Sequence, residues 1–336
     1  QWVLLGGGAG VVPQRYARTT FFGGMDLLTD LYFQCLEGTW DADGDHVYGE
    51  GFLSSSFPGD SADLGPDVWL GRAPVLTPEE ARRFVNKTLR YERTPAGDFG
   101  NRSLECAEVL FPQDWVPGGF ISLDGAQLVE ELLPFFDLHP GIEVSRLYEN
   151  HTDPPWRPGA LPETRDSVLA ALNAGANQTL IVGHGNIHTV SVGKGTLDES
   201  DFLSLTNNNR LMSLRFLGSQ AAQWDSGGLA RAALMAPEGG AAIAIGSSNF
   251  DFPTAIRFVM TEYYRLMYQE DVTAHGEAMG RAILPFLPFT VFDGVLRWTV
   301  MTEALLGDPA LRAYTSPRRA NRAPVEAAPA DLQVDI

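Results

Sequence analysis

The 336-residue chain is long enough for one large domain or two of medium size. Its net charge of −18 excludes a nucleic-acid binder, which needs a basic face for phosphate, and no apolar run approaches the length of a membrane span. Frequent glycine and proline (35 and 22 residues) with 10% aromatics fit a loop-rich, well-packed α/β protein.

The chain opens on a strand, Trp2 to Leu5, with no leader pattern, so a mature or trimmed N-terminus is expected. The glycines at 6, 7, 8 and 10 do not have dinucleotide-loop spacing, and Pro13 stands where the helix should begin. Asp41, Asp43, Asp45 and Glu50 alternate around Gly44. This pattern suits a hard cation bound through oxygen, with Phe52 where an EF-hand would place its last glutamate; structural calcium is the expectation, and an acidic solvated turn the plainer alternative. Asp67 to Arg72 is a short apolar run. Thr77-Pro78-Glu79-Glu80 starts a helix carrying Ala81, Phe84, Val85 and Leu89 at helical spacing. Leu104 to Leu110 reads as a strand and Leu123 to Phe136 as a helix with Asp124 near its start.

A short helix, Ser167 to Asn173, precedes the strand that runs from Leu180 into Gly183-His184-Gly185. Leu214 to Leu217 is a further strand ending at Gly218-Ser219, and Ala241 to Ser248 a buried one. Helices are expected over Ala230–Met235, Ala255–Tyr268, Gly276–Leu284 and Val295–Leu306. The alternation predicts a mainly parallel sheet covered on both faces, with ligands beyond the carboxyl ends of the strands, where His184, Ser219 and Ser248 fall. From residue 316 the composition changes to Pro, Ala and Arg, which reads as a tail or linker over 316–336. Cys35 and Cys106 are too few for a disulfide framework and are expected as buried free thiols. Asn86, Asn101, Asn150 and Asn177 fit the glycan acceptor pattern, a match that arises readily by chance.

A histidine and a small hydroxyl residue at the ends of neighbouring strands are the core of a hydrolase dyad. The glycines around His184 allow close approach of a ligand and leave N–H groups free for an oxyanion, and an imidazole exchanges protons near neutrality. Leu217-Gly218-Ser219-Gln220-Ala221 is not the nucleophile elbow of α/β-hydrolases. On spacing alone Ser219 reads as a structural serine.

The ordered motifs resemble the catalytic domain of gingipain-type cysteine peptidases, relatives of caspases. Those motifs are Trp2-Val3-Leu4-Leu5-Gly6 with Val12-Pro13, Thr29-Asp30-Leu31-Tyr32, Asp67 to Pro74, Glu80 with Lys87 to Glu92, Gly183-His184-Gly185-Asn186, Leu205-Thr206-Asn207 and Leu306 to Leu311. The resemblance spans residues 1–315, read as one peptidase domain. It implies a caspase-like three-layer α/β/α sandwich and a secreted or cell-surface bacterial endopeptidase acting on protein or peptide.

It further implies that His184 is the general base and that Ser219 occupies the nucleophile position. Gly185 and Ser219 would supply oxyanion N–H groups, with Glu108 orienting the histidine. Phe250, Asp251 and Phe252 are expected to line the pocket for the residue before the scissile bond, and Asp124 its other wall. An acid at 251 or 124 would then favour a basic residue there. Relatives carry more sheet before the first strand, so missing N-terminal strands from a second chain are expected. Serine in place of the family's cysteine implies an inactivated form or a natural pseudopeptidase. A calcium-stabilised, non-catalytic binding or assembly module is the alternative, and a true serine hydrolase the third reading.

Overall fold

The computed structural model describes residues 1–19, 21–51, 59–93, 98–117, 119–120, 124–153, 156–225 and 227–315. The expected tail, 316–336, lies outside the described residues, as does Leu123. The first half runs β1 (Trp2–Gly6), β2 (Arg15–Thr19), β3 (Met25–Thr29), α1 (Leu31–Gln34), β4 (Trp69–Ala73), α2 (Pro78–Arg93), β5 (Arg102–Ala107), α3 (Gly125–Phe136), β6 (Glu143–Tyr148), β7 (Leu161–Pro162) and α4 (Arg165–Ala174). The second runs β8 (Gln178–Val182), β9 (Thr189–Val192), β10 (Gly195–Asp198), α5 (Glu199–Leu203), β11 (Met212–Leu217), α6 (Leu229–Met235), β12 (Ala241–Ser247), α7 (Pro253–Gln269), α8 (His275–Ile283), α9 (Gly294–Thr302) and β13 (Glu303–Leu306).

Nine strands form one sheet among the described residues, ordered β1-β4-β13-β12-β11-β8-β5-β6-β7. All described pairings in it are parallel except β12 with β13. Strand residues alternate between two cores, as period-two side chains must. On β8, Leu180 and Val182 join the layer of α3, α7, α8 and α9, whereas Ile181 faces the layer of α4, α5 and α6. The result is the expected three-layer caspase-like sandwich.

Local signals explain several elements. The Glu80 N–H donates to Thr77 Oγ1 at 3.2 Å, capping α2 as the sequence predicts. The buried face of that helix differs from expectation: Phe84, Lys87, Thr88 and Tyr91 point inward, and Val85 is exposed. The family-like Asp30 and Arg72 prove to be partners. The Arg72 Nε and Nη2 donate to the two Asp30 carboxylate oxygens at 2.7 Å, and Nη1 donates to the Gly7 carbonyl at 2.9 Å. This buried fork ties β4 to the end of the β2–β3 hairpin and to the glycine loop after β1.

The helix expected over Val295–Leu306 is only partly present. α9 ends at Thr302, and Glu303–Leu306 pairs antiparallel with β12. Sheet pairing wins there because the segment fills the gap between β12 and β4. Asn150 and Asn177, two of the glycan matches, are buried, and Asn177 donates to the carbonyls of Gly100 and Tyr314. They serve the core, not glycans.

Candidate active site

β8 and β11 are parallel neighbours in a register that pairs Val182 with Leu217. The two strands end at one level, and the segments Gly183-His184-Gly185 and Gly218-Ser219-Gln220 leave the sheet together. The Gly183 N–H donates to the Leu217 carbonyl at 3.1 Å. A Cβ on Gly218 would stand 2.5 Å from the Gly183 carbonyl oxygen, and one on Gly185 would stand 3.1 Å from that of Ser219. Glycine at 218 therefore lets the histidine and serine loops touch backbone to backbone.

The side chain of His184 makes one contact that sequence could not reveal. Its Nε2 lies 2.6 Å from the Leu110 carbonyl oxygen. A carbonyl only accepts, so Nε2 carries the proton and, in the neutral ring, Nδ1 keeps the basic lone pair. Phe111 packs edge-on against the imidazole with ring centroids 5.4 Å apart. Glu108 is buried directly after β5. Burial pushes its carboxyl pKa up, while the Ser191 hydroxyl, the His184 charge and the His184 N–H pull it back. Glu163, buried nearby, is pushed up to about 9 by burial and by the charges of Glu108 and Glu149. An acidic floor thus lies behind the histidine loop.

Ser219 sits on a constrained turn. Gln220 has φ +61°, a left-handed conformation uncommon for a side chain of this size, and its N–H donates to the Asn249 carbonyl at 2.7 Å. The Ser219 hydroxyl oxygen accepts from the Asp251 N–H at 3.1 Å. Among the described residues, the backbone N–H groups of Gly185 and Ser219 have no hydrogen-bond partner. Two unspent donors on touching loops are what a developing oxyanion requires.

The remaining expected pocket residues separate into two groups. Phe250, Asp251 and Phe252 follow β12 beside Ser219, and Phe250 is half exposed. Burial pushes the Asp251 carboxyl up to about 7, and burial together with the Asp251 charge raises Glu303 well above the usual carboxylate range. Among the described residues neither Glu303 oxygen has a hydrogen-bond partner. Asp124, in contrast, is fully buried as the N-cap of α3: its Oδ1 accepts from the Ala126 N–H at 2.8 Å and its Oδ2 from the Asn150 side-chain amide at 2.7 Å. Its oxygens are occupied with holding that helix and the β6–β7 connection. Cys35 and Cys106 are buried free thiols, raised chiefly by burial, and neither stands at the nucleophile position.

The acidic loop follows α1, and Arg297 of α9 donates to its Gly49 carbonyl at 2.8 Å. Carboxylate oxygens of Asp41, Asp43 and Asp60 lie within 4.8 Å of one another, as do those of Asp43, Asp45 and Glu50. Asp60 was absent from the sequence-based set. It comes back to the loop because its N–H donates to the Glu50 carbonyl at 3.0 Å and its Oδ1 accepts from the Ala42 N–H at 2.6 Å. Burial and the charges of Asp45, Asp60 and Asp43 all raise the Glu50 carboxyl. Converging carboxylate oxygens are the hard donors a Ca²⁺ ion takes, although backbone N–H groups and His46 already engage several of them.

His184 and Ser219 thus stand on adjacent parallel strand ends of a caspase-like sandwich, the fold class of a peptidase-family domain. The chain matches peptidase family C25 over residues 1–314 and belongs to that family, as a gingipain-type cysteine peptidase domain. Its fold is similar to that of the Arg-specific cysteine proteinase gingipain R (RgpB), with a TM-score of 0.67, 15% identity, and coverage of 93% of this chain and 64% of that one. A structure described only as a protease matches with a TM-score of 0.68 and 15% identity over the same 93% and 64%. The complex of Porphyromonas gingivalis RgpB pro- and mature domains matches at 0.65, with 16% identity, 93% of this chain and 65% of that one. The chain thus spans slightly under two thirds of these relatives. No curated protein matches it in sequence.

Proposed function

We propose that this domain is an endopeptidase centre in which His184 is the proton carrier and position 219 the nucleophile position, silenced by serine. The contact between the two loops, with unspent N–H groups at Gly185 and Ser219, carries the reading. With cysteine at 219, Nδ1 of His184 would take the thiol proton while sulfur attacks the peptide carbonyl. The oxygen gains the negative charge and is held by the two N–H groups. The imidazolium then protonates the leaving amine, and water frees the acyl group. An alkanol is far harder to ionise than a thiol of pKa about 8.5, so serine leaves the geometry without the reactivity.

Glu108 is the candidate for steadying the histidine loop, together with the Leu110 carbonyl. The half-buried acid Asp251, whose N–H reaches Ser219, and Glu303 next to Asp251 favour a basic side chain before the scissile bond. Asp124 is the weaker candidate because its oxygens are already engaged. Asp41, Asp43, Asp45, Glu50 and Asp60 would hold a structural calcium ion. A secreted or surface location goes with this reading, supported by the family and the acidic composition. Among the described residues no helix is long and apolar enough to cross a membrane. β1 is the terminal strand of the sheet, with Trp2 and Leu4 exposed, and is where strands of a second chain would pair.

A non-catalytic, calcium-stabilised binding or assembly module is the second reading, favoured by the serine itself and by the Asp251 N–H engaging its hydroxyl. Turnover of a peptide library by Ser219→Cys, absent from the parent chain, supports the peptidase centre. An inert variant supports the module. Labelling of the parent by a fluorophosphonate would instead support a serine hydrolase.

A further inference from the structure

The β2–β3 hairpin turns through Phe21-Phe22-Gly23-Gly24, and Phe22 has φ +51° and ψ 37°. Glycine or asparagine would be the ordinary choice there, since a bulky side chain rarely adopts the left-handed region. The tip is nevertheless well pinned: the Phe21 N–H donates to Thr19 Oγ1 at 3.1 Å, and Arg18 donates to the Gly24 carbonyl at 3.1 Å. The effect is to hold the Phe22 ring outward, 60% exposed. It stands there in company. Phe22 stacks near-parallel to Phe252 at 6.0 Å and meets Trp298 edge-on at 5.9 Å, and Phe250 lies parallel to the buried Trp298 at 6.2 Å. Trp298 is itself fixed, its indole N–H donating to the Phe250 carbonyl at 2.8 Å.

This ledge is continuous with the reaction centre, because Asp251, between Phe250 and Phe252, donates its N–H to Ser219 Oγ. We infer that Phe22 is a specificity-determining residue: with Phe250 it receives an aromatic side chain of the peptide substrate close to the scissile bond. The inference rests on the peptide-binding reading above. A planar side chain fits because the two exposed rings stand nearly at right angles, Phe250 parallel to Trp298 and Phe22 edge-on to it, so a third ring can stack on one and meet the other edge-to-face, which adds to simple apolar burial. Phe22 belongs to the hairpin, far in sequence from either strand end, so it adds a selective surface without touching the reacting atoms.

The test uses the chain as it stands, with Ser219, so that binding is read without cleavage. Dye-labelled hexapeptides with a central lysine carry phenylalanine or alanine at each flanking position in turn, and fluorescence anisotropy gives Kd. At one or more positions phenylalanine should tighten binding about tenfold over alanine. Phe22→Gly, which keeps the left-handed turn and removes the ring, should erase that ratio, and Phe22→Ala should do the same. Circular dichroism melts of both variants show whether the fold is retained. Peptides that bind without any aromatic preference, or a preference that survives Phe22→Gly, overturn the assignment of Phe22 and leave the peptidase reading standing. Absence of binding by every peptide overturns both.

Discussion

The Asp251 N–H donates to the Ser219 hydroxyl oxygen at 3.1 Å, joining the loop after β12 to the turn after β11. One backbone donor therefore couples Ser219, the proposed nucleophile position, to the segment that carries the aromatic ledge and the Asp251 carboxyl. Replacing oxygen by sulfur should weaken that bond, since a thiol is a poor acceptor, and release the side chain toward the substrate carbonyl.

Ser219→Cys should hydrolyse peptides, and His184→Ala in that background should lower kcat/KM by about 10²–10⁴, the usual worth of positioned proton transfer. Continuous assay of a fluorogenic peptide pool measures both. Equal rates with and without the imidazole would remove His184 from its assigned role.

Gly218→Ala puts a methyl 2.5 Å from the Gly183 carbonyl oxygen, a backbone atom that no side-chain rotation can move aside. The loops must part, at a cost of about 1–3 kcal/mol. A lower urea midpoint and weaker peptide binding should appear together. An unchanged midpoint would show that the two loops are not in the contact described.

The Asp251–Glu303 pair makes stability fall as pH rises. Loss of solvation raises the folded pKa of both carboxyls, so they stay protonated where the unfolded chain has already ionised. The unfolded state then binds fewer protons, and stability is lost as pH climbs from about 4 toward and through neutrality. Asp251→Asn removes one of these acids. It should gain about 2 kcal/mol at pH 8 relative to its difference from the parent at pH 4.5, read from denaturant midpoints. A parallel pH dependence in the variant and the parent would contradict the paired-acid description.

Calcium should raise Tm, and chelation should lower it. A ligand at a hundred times its Kd stabilises the folded form by about 2.7 kcal/mol. Asp43 belongs to both carboxylate triads, so Asp43→Asn should abolish most of the shift while the metal-free Tm stays level or rises as repulsion is relieved. Calorimetry with and without calcium decides it. A calcium-independent melt of the parent would leave these acids as a solvated turn.

Much of the architecture was legible because its signals are local. Pro78 after Thr77 marks a helix start, and the apolar run into Gly183-His184-Gly185 marks a buried strand end. The Asp30–Arg72 pair was visible only as two separate motifs, since 42 residues part them. Glu303–Leu306 misled because an apolar segment of that length fits helix or strand, and only the vacant place beside β12 selects between them. The Leu110 carbonyl was beyond reach for another reason: any residue supplies a carbonyl, so its role leaves no trace in side-chain identity. Phe22 likewise carries no sequence signal, as its significance lies in a dihedral angle.

The ladder between β8 and β11 spaces positions 184 and 219 by main-chain hydrogen bonds rather than by the chemistry at either place. Exchanging the single side-chain atom at 219 therefore leaves both strand ends where they stand, so that any difference between the serine and cysteine forms reports the atom and not the scaffold that carries it.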